Sequence, residues 1–181
     1  MSDGPSRTAL VVVADAAEKV VAPWRRRYNR DAVERRLPAH ITVLFPLVPA
    51  AKVDDGLLDA LRALYAQHTQ FSYAFASVGS FSGVVWLAPQ PSAPFHDLIA
   101  RTRAAFPDHP PYGDPALAPV PHCTIGVDDD QARLEAMAEE IAAGLGPSLP
   151  ISCEATSACL LEERADGTWS ARASFPFEGA S

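Results

Sequence analysis

Two four-residue stretches combine side chains that can do chemistry together: His40-Ile41-Thr42-Val43 and His122-Cys123-Thr124-Ile125. Each sets an imidazole and a hydroxyl two residues apart inside an apolar run, "PAHITVLFPLVP" in the first case and "PHCTIGV" in the second. On a strand, residues i and i+2 share a face. His40 and Thr42 then project together while Ile41 and Val43 point into the core, and His122 and Thr124 are expected to do the same. With seven threonines and five histidines in the chain, random placement gives roughly 0.2 such pairs, so two at matching points of strand-like segments are not a product of composition.

The chemistry on offer is proton transfer at a phosphate. An imidazole with an ordinary pKa near 6.5 is available both as a neutral base and as a protonated acid. Two threonine hydroxyls can donate to non-bridging oxygens and hold charge that develops on them. Such a kit needs no nucleophilic side chain, metal or cofactor. A lone histidine on a strand reads as a satisfied structural residue. A pair in equivalent positions reads as two halves of one site.

The elements that must position these residues can be read in outline. A β-branched run over 8–15 predicts a first strand, and "PWRRRYNR" predicts a helix with Pro23 as its first residue. Residues 40–47 form a second strand ending near Pro46. Helical periodicity covers 52–68, 92–106 and 128–146. Alternation over 71–81 and an apolar run over 83–89, joined by a Ser82-Gly83 turn signal, predict a hairpin. Residues 107–121 read as a loop rich in proline. Residues 150–177 read as two strands joined at "ADGT". His40 and His122 are 82 positions apart, and each H-x-T strand is followed by a helix and then a hairpin, a weak internal repeat. The expected fold is α+β, a single bilobal domain over 1–181, with two pseudo-symmetric lobes of mostly antiparallel strands, helices on the outside and a central cleft.

Composition narrows the function classes. The net charge is −7, which argues against a long nucleic acid held by broad electrostatics. Lys19–Arg36 nevertheless holds seven basic and two acidic residues, a net of +5 that leaves −12 for the remainder. A small anionic ligand near that segment, or a solvated helix face, would account for it. Cys123, Cys153 and Cys159 match neither a disulfide framework nor a zinc pattern and are read as free thiols. "ALVVVA" is too short for a secretory segment, and no run approaches the roughly 20 apolar residues of a membrane span. A cytoplasmic protein with no membrane or obligate protein partner is expected.

The two motifs resemble those of the 2H phosphoesterase superfamily, defined by paired H-x-[ST]-x, and in particular its 2′-5′ RNA ligase-like branch. "HITV" and "HCTI" both fit, and so do the flanks "PAHITVLFPL" and "VPHCTIGV". The resemblance implies a bilobal hydrolase that cleaves 2′,3′-cyclic or 2′-5′ phosphodiesters of nucleotides or RNA ends without a metal. His40, Thr42, His122 and Thr124 occupy the motif positions. On this reading His122 activates water and His40 protonates the departing oxygen, in a site where the two are nearly interchangeable. Alternatives are 2′-5′ RNA end ligation, the same chemistry in reverse, and a non-catalytic nucleotide-binding protein using the same cleft.

Other residues are secondary. Tyr112, in the loop before the second motif, is the best candidate to line the cleft. Tyr28 and the Arg25–Arg27 run, preceding the first motif, could flank the cleft, with Arg27 and Tyr28 as candidates for substrate binding through phosphate pairing. Phe81 and Trp86 could stack on a base, although core packing suits Trp86 better. His68, His96 and His109 have no partners in spacing and are read as non-catalytic.

Overall fold

Among the described residues, eight strands and five α-helices follow one another in the order β1 α1 α2 β2 α3 β3 β4 α4 β5 α5 β6 β7 β8. The structure is a computed structural model and describes residues 6–81 and 83–179. Ser82, half of the expected Ser82-Gly83 turn, lies outside the described residues, whereas Gly83 adopts φ +80°. That left-handed conformation is one that glycine enters without steric cost.

The strands are β1 (Thr8–Val13), β2 (His40–Leu44), β3 (Phe71–Phe81), β4 (Val84–Gln90), β5 (Cys123–Val127), β6 (Ile151–Ala155), β7 (Ser157–Glu163) and β8 (Trp169–Pro176). They form two four-stranded sheets, ordered β2-β1-β7-β8 and β5-β4-β3-β6, with every neighbouring pair antiparallel. The fold is α+β, as expected. The lobes are not the two halves of the chain, however. Each sheet takes two strands from the first half and two from the second. The H-x-T strands β2 and β5 occupy the corresponding edges.

The helices are α1 (Asp15–Tyr28), α2 (Arg30–Glu34), α3 (Asp55–Tyr65), α4 (Ala93–Ala105) and α5 (Gln131–Leu145). Asp54 caps α3 by accepting from the Leu57 N–H at 2.8 Å, and Asp130 caps α5 by accepting from the Arg133 N–H at 2.9 Å, each satisfying an orphan donor. Helix α1 lies across β5 and β6, α4 across β2, and α5 across β3 and β4.

Two expectations are corrected. Pro23 does not begin a helix but sits inside α1. Its ring is solvent-exposed, and the helix runs through because Ala17, Val21 and Arg25 make a continuous buried stripe on the opposite face. Residues 150–177 hold three strands rather than two. The chain leaves β6 in one sheet and enters β7 in the other across Thr156 alone, with no glycine or proline to mark the crossing.

The main core joins both sheets, with Leu10, Val12, Ile41 and Val43 from one and Phe75, Val85, Leu87 and Ile125 from the other. A smaller cluster of Ala9, Val11, Cys159, Leu161 and Trp169, with Phe45 and Leu37 against it, covers the opposite face of the first sheet. That face also carries His40 and Thr42, because Val13 pairs with His40 and Val11 with Thr42.

Candidate active site

The two edge strands β2 and β5 approach one another, with Cα atoms within 8 Å. Along β2, His40 and Thr42 are half-buried while Ile41 and Val43 are buried. Along the second motif, His122 and Thr124 are half-buried while Cys123 and Ile125 are buried. Each strand also carries an irregularity directly after its threonine. Val11 pairs with Thr42 but Leu10 pairs with Leu44, so Val43 is the extra residue. Trp86 pairs with Thr124 but Val85 pairs with Gly126, so Ile125 is the extra residue. Such bulges kink a strand and re-aim the side chains beside them. Here they fall at the fourth position of both motifs.

Both imidazoles are held in the same way. His40 Nδ1 lies 2.7 Å from the Pro38 carbonyl oxygen, and His122 Nδ1 lies 2.6 Å from the Val120 carbonyl oxygen. A carbonyl can only accept, so Nδ1 carries the hydrogen and donates it. Nε2 is then the atom free to take or give a proton in each ring. Burial lowers the pKa of both histidines. For His40 the value falls to about 4, with the Pro38 hydrogen bond opposing and the nearby charges of Arg25 and His122 adding to the decrease. For His122 burial acts against the Val120 hydrogen bond, with a net decrease.

Arg25, expected with its neighbours to flank the cleft and pair with phosphate, lines neither cavity and belongs instead to a support behind His40, a role that sequence reasoning missed. Its buried guanidinium pairs with Glu18 at 2.8 Å and donates to the Leu37 carbonyl at 2.7 Å. Glu18 in turn accepts from the Ala39 N–H at 2.5 Å. The pair therefore grips both sides of Pro38, whose carbonyl orients His40. The available signal was spacing: Glu18 and Arg25 stand seven residues apart, two helical turns, on the face of α1 that also carries Val21.

Two cavities meet at this place. The larger, about 550 Å³, is lined by His122, Thr124, Thr42, Phe45, Phe81 and Tyr112 among others. The smaller, about 250 Å³, is lined by His40, Thr42, Phe45, Tyr112, Trp169 and Arg7 among others. Thr42, Phe45 and Tyr112 form the divide between them. Tyr112 holds φ +53°, uncommon for a bulky residue and a form of strain that collects at functional sites. Its N–H donates to the Phe45 carbonyl at 2.6 Å, and its ring meets Phe45 edge-on at 5.9 Å. Desolvation raises the pKa of its hydroxyl, against a hydrogen bond with Thr42 that lowers it.

The remaining predicted residues divide. Phe81 packs edge-on against His122 at 5.1 Å. Trp86 backs His122 at 6.1 Å and lies over Gly79. A Cβ at Gly79 would stand 2.7 Å from the Trp86 ring, so that glycine makes the room. Arg27 and Tyr28 line neither cavity; both bond Glu140 on α5. The basic run around them is largely paired, Arg30 with Glu34 and Arg35 with Asp31 and Glu163. The three cysteines are free and buried, and burial pushes the Cys123 thiol up to about 12. Among the described residues no three His, Cys, Asp or Glu side chains gather as a metal would require, and no helix is long and apolar enough to cross a membrane.

Comparison with known proteins agrees with this fold. No curated protein sequence matches the chain. Among solved structures, E. coli LigT complexed with 3′-AMP is similar at TM-score 0.63 and 16% identity, with 96% of this chain and 99% of that one covered. The protein TT0787 of Thermus thermophilus is similar at TM-score 0.60 and 16% identity, covering 97% and 100%. A structure described as a phosphoesterase is similar at TM-score 0.58 and 18% identity, covering 97% of both chains. At these identities the likeness is one of fold. A family model covering residues 13–167 extends it to sequence and includes both H-x-T strands. The chain belongs to the 2′-5′ RNA ligase superfamily.

Proposed function

We propose that the protein hydrolyses a 2′,3′-cyclic or 2′-5′ phosphodiester by general acid–base catalysis between His40 and His122. The observation that carries this reading is the matched anchoring of the two rings: each Nδ1 is tied to the carbonyl two residues earlier, so each Nε2 is the group left to exchange protons. Solved structures of LigT with 3′-AMP and with phosphate add support from a protein of the same fold.

In the proposed step, water attacks phosphorus and gives its proton to one Nε2. The bond from phosphorus to the departing sugar oxygen breaks, and the other Nε2–H supplies that oxygen with a proton. Thr42 and Thr124 donate hydrogen bonds to the non-bridging oxygens, where negative charge accumulates. A monoester and a free hydroxyl result, and the histidines regain their starting states by exchange with water.

The environments of the two rings favour different roles. Burial, with the nearby Arg25 charge adding to it, holds His40 neutral, the form a base needs. No cation contributes to the decrease at His122, and the bound phosphate's negative charge favours its protonated form. The proposed base is therefore His40 and the acid His122, opposite to the order expected from sequence.

A substrate with a 4-nitrophenolate leaving group tests the roles, since that group departs without a proton. His122→Ala is expected to lose about 10²–10⁴-fold in kcat on a ribonucleoside cyclic phosphate and far less on the nitrophenyl ester. His40→Ala should lose a similar factor on both. The reverse pattern exchanges the roles. Full turnover by a variant lacking both imidazoles ends the mechanism, and nucleotide binding by the wild type without turnover on either substrate favours a binding protein.

A further inference from the structure

Five large apolar side chains stand out as exposed among the described residues: Phe81, Tyr112, Leu117, Val120 and Val127. They come from β3, from β5 and from the loop between α4 and β5. All five line the larger cavity on the His122 side. Scattered exposed apolar residues are ordinary, but their convergence on one concavity marks a surface that something covers. The cavity's volume of about 550 Å³ falls within the range of small-molecule sites.

The charge pattern limits what that occupant is. No Lys, Arg, Asp or Glu is found among the described residues lining this cavity. The smaller cavity does contain Arg7 and Arg35, but neither is free. Arg7 meets Glu163 at 2.8 Å, and Arg35 reaches Glu163 at 3.4 Å and Asp31 at 3.1 Å. Arg103, beside the apolar loop, donates to the Leu117 and Pro115 carbonyls at 3.1 Å each and so holds the wall in place. A chain of several phosphates would need unpaired cations along its track, and neither cavity offers them among the described residues.

Resting on the proposed phosphodiesterase reading, we infer that the substrate is a single small ester, a mononucleotide 2′,3′-cyclic phosphate, whose base occupies the apolar cavity on the His122 side. The phosphate sits between the imidazoles, and the base lies against Phe81, Val127 and the 117–120 wall. Selectivity then comes from apolar burial of one base, with no reading of a second nucleotide.

Three substrates separate this from recognition of an RNA end: cytidine 2′,3′-cyclic phosphate, methyl ribofuranoside 2,3-cyclic phosphate without a base, and a hexaribonucleotide ending in a 2′,3′-cyclic phosphate. The mononucleotide should exceed the base-free ester about tenfold or more in kcat/KM. The hexamer should do no better than the mononucleotide, with little change between about 50 and about 300 mM salt. Leu117→Ala and Val127→Asp, both at exposed positions, should shrink the kcat/KM ratio of the mononucleotide to the base-free ester about tenfold. Equal use of the base-free ester overturns the inference, as does a tenfold preference for the hexamer that collapses with salt.

Calorimetric binding of 2′-CMP and of a hexamer bearing a terminal 2′-phosphate reads the same question without turnover. Tighter or equal binding of 2′-CMP, with no ester cleaved, would keep the mononucleotide base site and remove the proposed reaction. Preference for the hexamer, or no binding of 2′-CMP, overturns the inference whatever the turnover assay shows.

Discussion

His40 and His122 are each oriented by a hydrogen bond from Nδ1 to a carbonyl only two residues away. The motif thus supplies its own tautomer control, and the rest of the fold has only to bring two such motifs together. Burial then makes both rings reluctant to carry charge. The consequence for stability has a definite sign. Above the unfolded value near 6.5 both states hold a neutral His40, and the native state keeps its full stability. As pH falls from there towards about 4, the unfolded chain binds a proton that the native chain does not. Stability is expected to fall by up to about 1.4 kcal/mol per pH unit for this group. Urea unfolding at several pH values across that window should show the slope in the wild type and a shallower one in His40→Gln. Identical slopes would mean that His40 is not held neutral.

Secondary-structure elements decide how firmly the first motif is seated. Helix α1 uses a charged pair, Glu18 and Arg25, to grip the Leu37–Ala39 backbone, while the second motif follows a proline-rich loop. Glu18→Ala removes the partner of a buried guanidinium and the acceptor of the Ala39 N–H. Breaking a buried pair in this way costs about 3–5 kcal/mol, and the partial exposure of Glu18 places the expected loss near about 3 kcal/mol. Chemical denaturation would measure it, and a loss below about 1 kcal/mol would show that the grip is weaker than its geometry. At this scale the sequence was legible wherever periodicity is local. The alternation of His40 with Ile41 follows from the pleat, and β3 carries the predicted bounds. Pro23 misled because its ring points to solvent, where the lost hydrogen bond is tolerated. Arg25 misled because it lies in a run of arginines that otherwise pair at the surface, and only packing against β2 distinguishes it.

The whole molecule is assembled by exchange between its halves. β1 of the first half pairs with β7 of the second, and β3 pairs with β6. A fragment of residues 1–91 therefore holds β1 to β4 without the strands that flank three of them. It is expected to remain unfolded alone and to regain strand content and dispersed amide resonances on mixing with residues 92–181, as read by circular dichroism and NMR. Independent folding of either fragment would contradict this. The same exchange brings β2 and β5 to facing edges and sets β3, β5 and the 107–121 loop around one cavity. Tyr112 sits on that divide, whereas Arg27 and Tyr28, equally close to a motif in the chain, turn to Glu140.

By itself the sequence determined the chemistry available: two imidazoles and two hydroxyls, paired by the two-residue repeat of a strand and duplicated 82 positions apart. Those relations are local, and backbone geometry alone enforces them. Tertiary structure decided everything that depends on distant segments meeting. It set which edges face one another, which arginine is buried behind His40, and where five exposed apolar side chains converge. The crossing at Thr156 and the approach of β2 to β5 arise from long-range pairing and packing, which no nearby residue records.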